Sequence, residues 1–218
     1  ESFKAEFEAN DGTLAGYSGH EEGKASYRSE LATLARGGAD TLVIFDYGDG
    51  TGLSILRQAL ENNFFKTFVG ADGMKSEGLV KAIGAANLGG FFVSAPVGEA
   101  SASLDNFNKA YKAAGENIDA VFATTSYDAA FLAALAIEKA GGDKAKLAES
   151  LRAVASAPGE PILAGEWAKA KKLIAEGKDI DYKGAGGDHE FDAAGDVPGN
   201  YAFFKVSGTG YESIADMK

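Results

Sequence analysis

The chain has 218 residues, a formal net charge of -11 and no cysteine. Its 32 acidic against 21 basic residues argue against a non-specific nucleic-acid surface and against docking on anionic lipid, since both need a basic face. The missing cysteines exclude disulfides, thiolate zinc sites and thiol nucleophiles, and suit an oxidising compartment. No apolar run approaches the ~20 residues of a membrane-spanning helix, so no membrane insertion is expected. The length fits one large domain or one and a half small ones.

In chain order, Glu1 to Asn10 places Phe3 and Phe7 on one helix face and ends at the Asn10-Asp11-Gly12 turn. Thr13 to His20 reads as a glycine-interrupted strand. Ser26 to Arg36 is an amphipathic helix with Tyr27, Leu31 and Leu34 on its stripe, stopped by Gly37-Gly38. Thr41 to Phe45 is a continuous apolar run, the signature of a strand buried on both faces of a parallel sheet. The rhythm repeats: helix 52–62, strand 67–69, helix 75–83, strand 90–94, helix 103–114. Strands alternating with helices at this spacing imply parallel βαβ units.

The rhythm then breaks. Val121 to Ala123 reads as extended, Ser126 to Ala140 as a long Ala-rich helix, and Ala145 to Val154 as a second helix. Pro158 and Pro161 mark a connector, and Glu166 to Glu176 forms another helix. The tail reads as short strands at 180–184, 188–191, 201–206 and 211–214. Phe3, Phe7, Phe107 and Trp167 fall on helical stripes and are expected in the core.

Three stretches hold candidate chemistry. Asp46-Tyr47-Gly48-Asp49-Gly50-Thr51-Gly52 follows a buried strand and opens a helix. Ligands bind outside the carboxyl ends of strands in open parallel sheets, and a glycine-rich helix start offers N–H groups to an anion. Neither the dinucleotide fingerprint nor the phosphate-loop lysine is present, and Asp46 and Asp49 would repel phosphate. A small nucleotide-using α/β enzyme is therefore the weaker reading, and Tyr47 as a small-molecule contact the stronger. The plain alternative is a tight turn with Asp49 or Thr51 capping the helix.

The second stretch, Gly70-Ala71-Asp72-Gly73-Met74-Lys75, follows the next strand and faces the same crevice. An ionised Asp72 there suits a ligand ammonium; the alternative is that Asp72 caps the following helix. The third runs from Gly184 to Asp196 and holds His189 with Asp188, Glu190, Asp192 and Asp196. It matches neither a zinc nor a calcium-loop pattern, and reads as a strand and turn with exposed acids. No metal, cofactor or catalytic residue is expected: there are two histidines, no nucleophile elbow, and Glu21-Glu22 diverge on a loop.

The ordered series ADTLVIFDYGDGTGLSILRQAL, FVGADGMKS, GFFVSAP, TTSYDAAFLAALAIEKAG and IDYKGAGGDHEFDAAGDVPGNYAFFKV resembles the type I periplasmic solute-binding proteins. It is most similar to the branched-chain amino-acid binding subfamily that serves ABC transporters. The resemblance implies an α/β fold: a parallel-sheet βαβ lobe with a helical segment from its partner lobe, closing by a hinge over a ligand. It implies residues 1–121 as the second ligand-binding lobe, 122–160 as a hinge crossing with first-lobe helices, and 161–218 as return segment, hinge and edge strands. Asp72 matches the acid that binds the ligand's α-ammonium, with Gly73 beside it, and is one methylene shorter than the glutamate of close relatives. Tyr47, or Asp46 across a one-residue gap, falls in the loop that supplies an aromatic wall, and Tyr127 lies at the hinge.

The implied function is to hold an amino acid or a related acid or amide in the periplasm for ABC permease subunits. A ligand-sensing domain of a receptor or regulator with the same fold is the alternative. Against the family template the first lobe and the strand before the opening helix have no counterpart. The expectation is a C-terminal fragment that binds weakly, or a chain whose missing strand comes from a second chain or a swapped dimer.

Overall fold

The structure is a computed structural model that describes residues 2–118 and 120–217; Glu1, where the first expected helix opens, lies outside them. Two compact units are present: Glu1–Ala95 with Ala202–Met217, and Pro96–Tyr201. The chain therefore leaves the first unit once and returns to it for its last strands.

In the first unit, α1 (Ser2–Ala9) and α2 (Arg28–Ala35) precede β1 (Thr41–Ile44), α3 (Thr51–Glu61), β2 (Thr67–Gly70), α4 (Glu77–Ile83) and β3 (Phe91–Pro96). β1 pairs with β2 in parallel, Leu42 opposite Phe68, and β2 with β3 in parallel, Val69 opposite Phe92. β6 (Tyr201–Ser207) and β7 (Gly210–Met217) complete a sheet of order β1-β2-β3-β6-β7. Parallel neighbours need helical crossovers, and α3 and α4 supply them. α3 forms where Ile55, Leu56 and Ala59 recur at helical spacing, and these three are buried. Burying Leu56 alone contributes roughly 1.5–3 kcal/mol. Phe68, Phe91, Met74 and Leu79 fill the same core.

The second unit holds α5 (Ala102–Ala113), α6 (Ala123–Lys139), α7 (Leu147–Ala155), β4 (Glu160–Leu163), α8 (Trp167–Ala175) and β5 (Ile180–Lys183). Its core joins Leu132, Leu135, Val154, Ile162, Ile180 and Tyr182. β4 and β5 form a separate parallel pair, Ile162 opposite Tyr182.

Several sequence expectations are corrected. Thr13 to His20 runs without strand pairing, because no neighbouring strand offers it a ladder. Phe45 projects from the end of β1 and is 58% exposed, although it closes a continuous apolar run. Phe3 and Phe7 are 38% and 40% exposed rather than core, since α1 buries no residue. The expected extension at 121–123 is a turn into α6, with Phe122 at φ 66 directly before the helix. The proline-marked connector contains β4, where Pro161 sits in a two-stranded pair whose outer edge needs no donor. Residues 188–191 form a loop with a single bridge, Lys183 to Asp188. The compact units divide at Ala95–Pro96, so α5 clusters with the later helices.

Candidate functional site

The loops after β1 and β2 lie side by side at the carboxyl ends of two paired parallel strands, the usual place for a ligand in such sheets. Gly48 N–H donates to the Gly73 carbonyl at 2.8 Å, and Ala71 N–H to the Ile44 carbonyl at 3.1 Å. Tyr47 lies over Gly73 and is itself 69% exposed. A Cβ at position 73 would sit 2.7 Å from the Asp46 carbonyl oxygen and 3.0 Å from the Tyr47 ring, so only glycine permits this approach.

The two acids of the crevice differ in what they have left to offer. Asp46 is engaged on both oxygens: Oδ1 accepts the Tyr47 N–H at 2.6 Å, and Oδ2 lies 2.6 Å from His20 Nε2. Asp72 is half-buried and accepts the Gly73 N–H through Oδ1 at 2.8 Å. Among the described residues no donor reaches its Oδ2. Asp72 does not cap α4; Ser76 does, its hydroxyl accepting the Leu79 N–H at 3.1 Å.

The glycine loop before α3 is spent on the fold. Asp49 receives a short hydrogen bond from the Ser76 hydroxyl, and the buried Thr51 hydroxyl accepts the Gly23 N–H at 3.1 Å. Gly50, not Asp49 or Thr51, occupies the cap position, and no side chain caps the helix. These contacts tie the loop to the start of α4 and to Gly23.

The structure thus brings Asp46, Tyr47, Asp72 and Gly73 together. Tyr127 belongs to the other unit. Its ring packs between Phe107 and Phe131, at 5.2 and 5.6 Å, and its hydroxyl accepts the Gly165 N–H at 2.8 Å. Burial raises the pKa of this phenol. It borders a small cleft of about 170 Å³ with Asn106, Tyr111 and Ala164.

Two residues escape sequence reasoning. His20 joins the crevice through Asp46, and nothing in its spacing signals that. Asp128 is fully buried on α6, where it accepts the Tyr182 hydroxyl at 2.6 Å, the Ala185 N–H at 2.9 Å and the Gly186 N–H at 2.7 Å. Its signal was legible: a lone acid among Tyr127, Ala129, Ala130 and Phe131 must find donors if buried. Burial raises the Tyr182 phenol, and the Asp128 carboxylate adds to it. His189 Nε2 lies 3.7 Å from the same carboxylate. The acid-rich stretch that follows is a turn in which Asp192 accepts the Gly195 and Asp196 N–H groups at 2.8 and 2.9 Å. No cluster able to hold a metal occurs among the described residues.

One unit built on a parallel βαβ sheet, with polar loops at its strand ends, and a second of helices and one parallel pair make up the mixed α/β fold of type I periplasmic binding proteins. The family of periplasmic binding proteins matches residues 1–210, and the chain belongs to it. A leucine-binding protein from Thermotoga maritima matches with TM-score 0.66 and 19% identity, over 89% of this chain and 49% of that one. A solute-binding protein from R. palustris, solved with 4-hydroxybenzoate, matches with TM-score 0.69 and 16% identity, over 100% and 55%. A branched-chain amino-acid binding protein from Streptococcus pneumoniae, solved with isoleucine, gives TM-score 0.53 and 22% identity over 88% and 49%. The chain thus spans about half the length of the solved structures it matches. No curated protein matches it in sequence.

Proposed function

We propose that this chain is the ligand-holding part of a solute-binding protein that delivers a small amino acid to the permease of a periplasmic ABC importer. The observation that carries the reading is the open Oδ2 of Asp72 beside the exposed Tyr47 ring. An ionised carboxylate attracts a ligand ammonium through charge-assisted hydrogen bonds, and the ring covers the ligand's apolar part. The same carboxylate repels a bare benzoate, which separates the two ligand types bound by the solved relatives. Asp46 acts behind the site: pinned by His20 and the Tyr47 N–H, it sets the loop rather than touching ligand.

One carboxylate and one ring enclose a single side of a small molecule, so binding by this chain is weak. Amide chemical-shift titration detects weak binding. Millimolar leucine is expected to shift Tyr47, Asp72 and Gly73, and benzoate to leave them in place. Asp72→Ala abolishes the leucine shifts. Equal shifts with benzoate, or leucine shifts that survive Asp72→Ala, overturn the assignment.

A further inference from the structure

The loop that carries Asp72 is held from a distant part of the chain. After Gly73 the backbone runs through Met74, Lys75 and Ser76 into α4, and there it meets β6 and β7, sheet neighbours joined through Gly208-Thr209. The Tyr211 hydroxyl of β7 accepts the Ser76 N–H at 3.2 Å and lies 3.1 Å from the Ser76 carbonyl and 3.4 Å from that of Met74. The Lys75 ammonium sits over the Phe204 ring of β6 at 4.6 Å and 6.0 Å from the centre of the Tyr211 ring. All of these residues belong to the first unit.

Strand pairing does not account for this meeting. In sheet order β3 and β6 separate β2 from β7, so the ladders bring neither partner to the other. A phenol hydroxyl has one proton to give and can also accept. Here it gives that proton to a carbonyl of the segment and accepts the Ser76 N–H, so one side chain engages both kinds of backbone group. The hydroxyl is withdrawn from water, and burial pushes its pKa up to about 12. The negative faces of the two rings attract the Lys75 ammonium to the same pair of strands.

The segment passes its position on to both loops of the crevice. The Lys75 N–H donates to the Asp72 carbonyl at 3.0 Å and the Met74 N–H to the Ala71 carbonyl at 2.9 Å, so the turn holding Asp72 is fixed from its far end. Met74 is fully buried against Gly52 and Gly70. The Ser76 hydroxyl donates to Asp49, in the loop that carries Tyr47. The Asp72 carboxylate itself is held by the Gly73 N–H on one oxygen, so the aim of the other depends on the backbone beneath it.

We propose that Tyr211 is a positioning residue of the crevice: its hydroxyl clamps residues 74–76 and thereby sets where the open Oδ2 of Asp72 stands relative to the Tyr47 ring. The inference rests on the reading of Asp72 as the partner of a ligand ammonium. It extends that reading to a residue 135 positions beyond Ser76 that touches no ligand. Affinity depends steeply on such support, because hydrogen bonds weaken with small errors of distance and angle. A tyrosine with a structural role alone would lower stability and leave the crevice as it is.

Tyr211→Phe keeps the ring beside Lys75 and removes only the hydroxyl. Ala202→Gly, at a buried position of β6 whose methyl group cannot hydrogen-bond, loosens the same pair of strands and serves as control. In ligand-free Tyr211→Phe the amide signals of Asp72 and Gly73 are expected to move and the nuclear Overhauser contact between the Tyr47 ring and Gly73 to weaken; the control changes neither. Leucine affinity, read from the same amides where all three chains are fully folded, is expected to fall about 5-fold in Tyr211→Phe, the loss of one neutral hydrogen bond. Ligand-free crevice signals that stay put in Tyr211→Phe, or move equally in Ala202→Gly, overturn the proposal. So does a leucine affinity within about 2-fold of the parent's. If leucine shifts nothing in the parent chain, the ligand assignment falls, and the ligand-free signals decide the clamp by themselves.

Discussion

Removing the Asp128 carboxylate tests whether one buried acid organises the second unit. The Oδ1 atom accepts two hydrogen bonds, from the Tyr182 hydroxyl and the Ala185 N–H, and Oδ2 accepts one from the Gly186 N–H. Asp128→Ala strands all three donors in a fully buried place. Hydrogen bonds to a charged group contribute about 1.5–3 kcal/mol each but do not add, so the expected loss is about 3–5 kcal/mol. Asp128→Asn is milder. Its amide keeps one oxygen, but sets an N–H₂ group against the Gly186 N–H at a separation of 2.7 Å. That exchange of an acceptor for a donor costs about 2 kcal/mol. Urea unfolding followed by Trp167 fluorescence reads this unit specifically, because the chain's one tryptophan packs on its core through Phe131. An Ala variant within about 1 kcal/mol of the parent would refute the reasoning.

Alkaline pH should weaken the fold through its buried phenols. Burial pushes Tyr211 up to about 12 and raises Tyr182 as well. Above the unfolded phenol pKa of about 10, the unfolded chain loses protons that the folded chain keeps. This contribution is therefore fully present below about pH 10 and is lost as pH rises through about 12. Thermal melts against pH will show the decline, and Tyr211→Phe will flatten part of it; an identical slope in the variant refutes the attribution. Gly73→Ala should cost about 1–3 kcal/mol, because its Cβ meets backbone at 2.7 Å and the neighbouring loop must move. The tyrosine fluorescence and amide shifts of Tyr47 report that movement, and a variant with neither change removes Gly73 from the account.

How far the sequence reaches depends on whether a feature is local. α3 was legible because its apolar residues recur at the helix period, though of the expected inward set Leu53, Leu56, Ala59 and Leu60 only Leu56 and Ala59 are buried, and Ile55 joins them. The parallel direction of β1, β2 and β3 followed from strand–helix alternation alone. Thr13 to His20 was misread because alternation shows which side chains share a face, not whether a partner strand exists. Phe45 was misread because an apolar run does not show where burial ends. At the crevice, the closeness of Tyr47 and Asp72 was legible from their place after neighbouring strands. What Asp72 leaves open and Asp46 does not depends on His20, which lies 26 residues from Asp46 and is joined to it only by the fold.

The discontinuity of the first unit has a consequence for the order in which the protein is made. Pro96–Tyr201 is one stretch of chain, so the helices and the parallel pair of the second unit are synthesised before β6 is complete and before β7 exists. That unit can settle its core while the first still presents the flank of β3, the neighbour of β6 in the finished sheet, as an open ladder. The first unit reaches its full sheet only when Ala202–Met217 leaves the ribosome. A stop codon after Tyr201 would therefore spare the second unit and leave the first with three strands, exposed to self-association along β3.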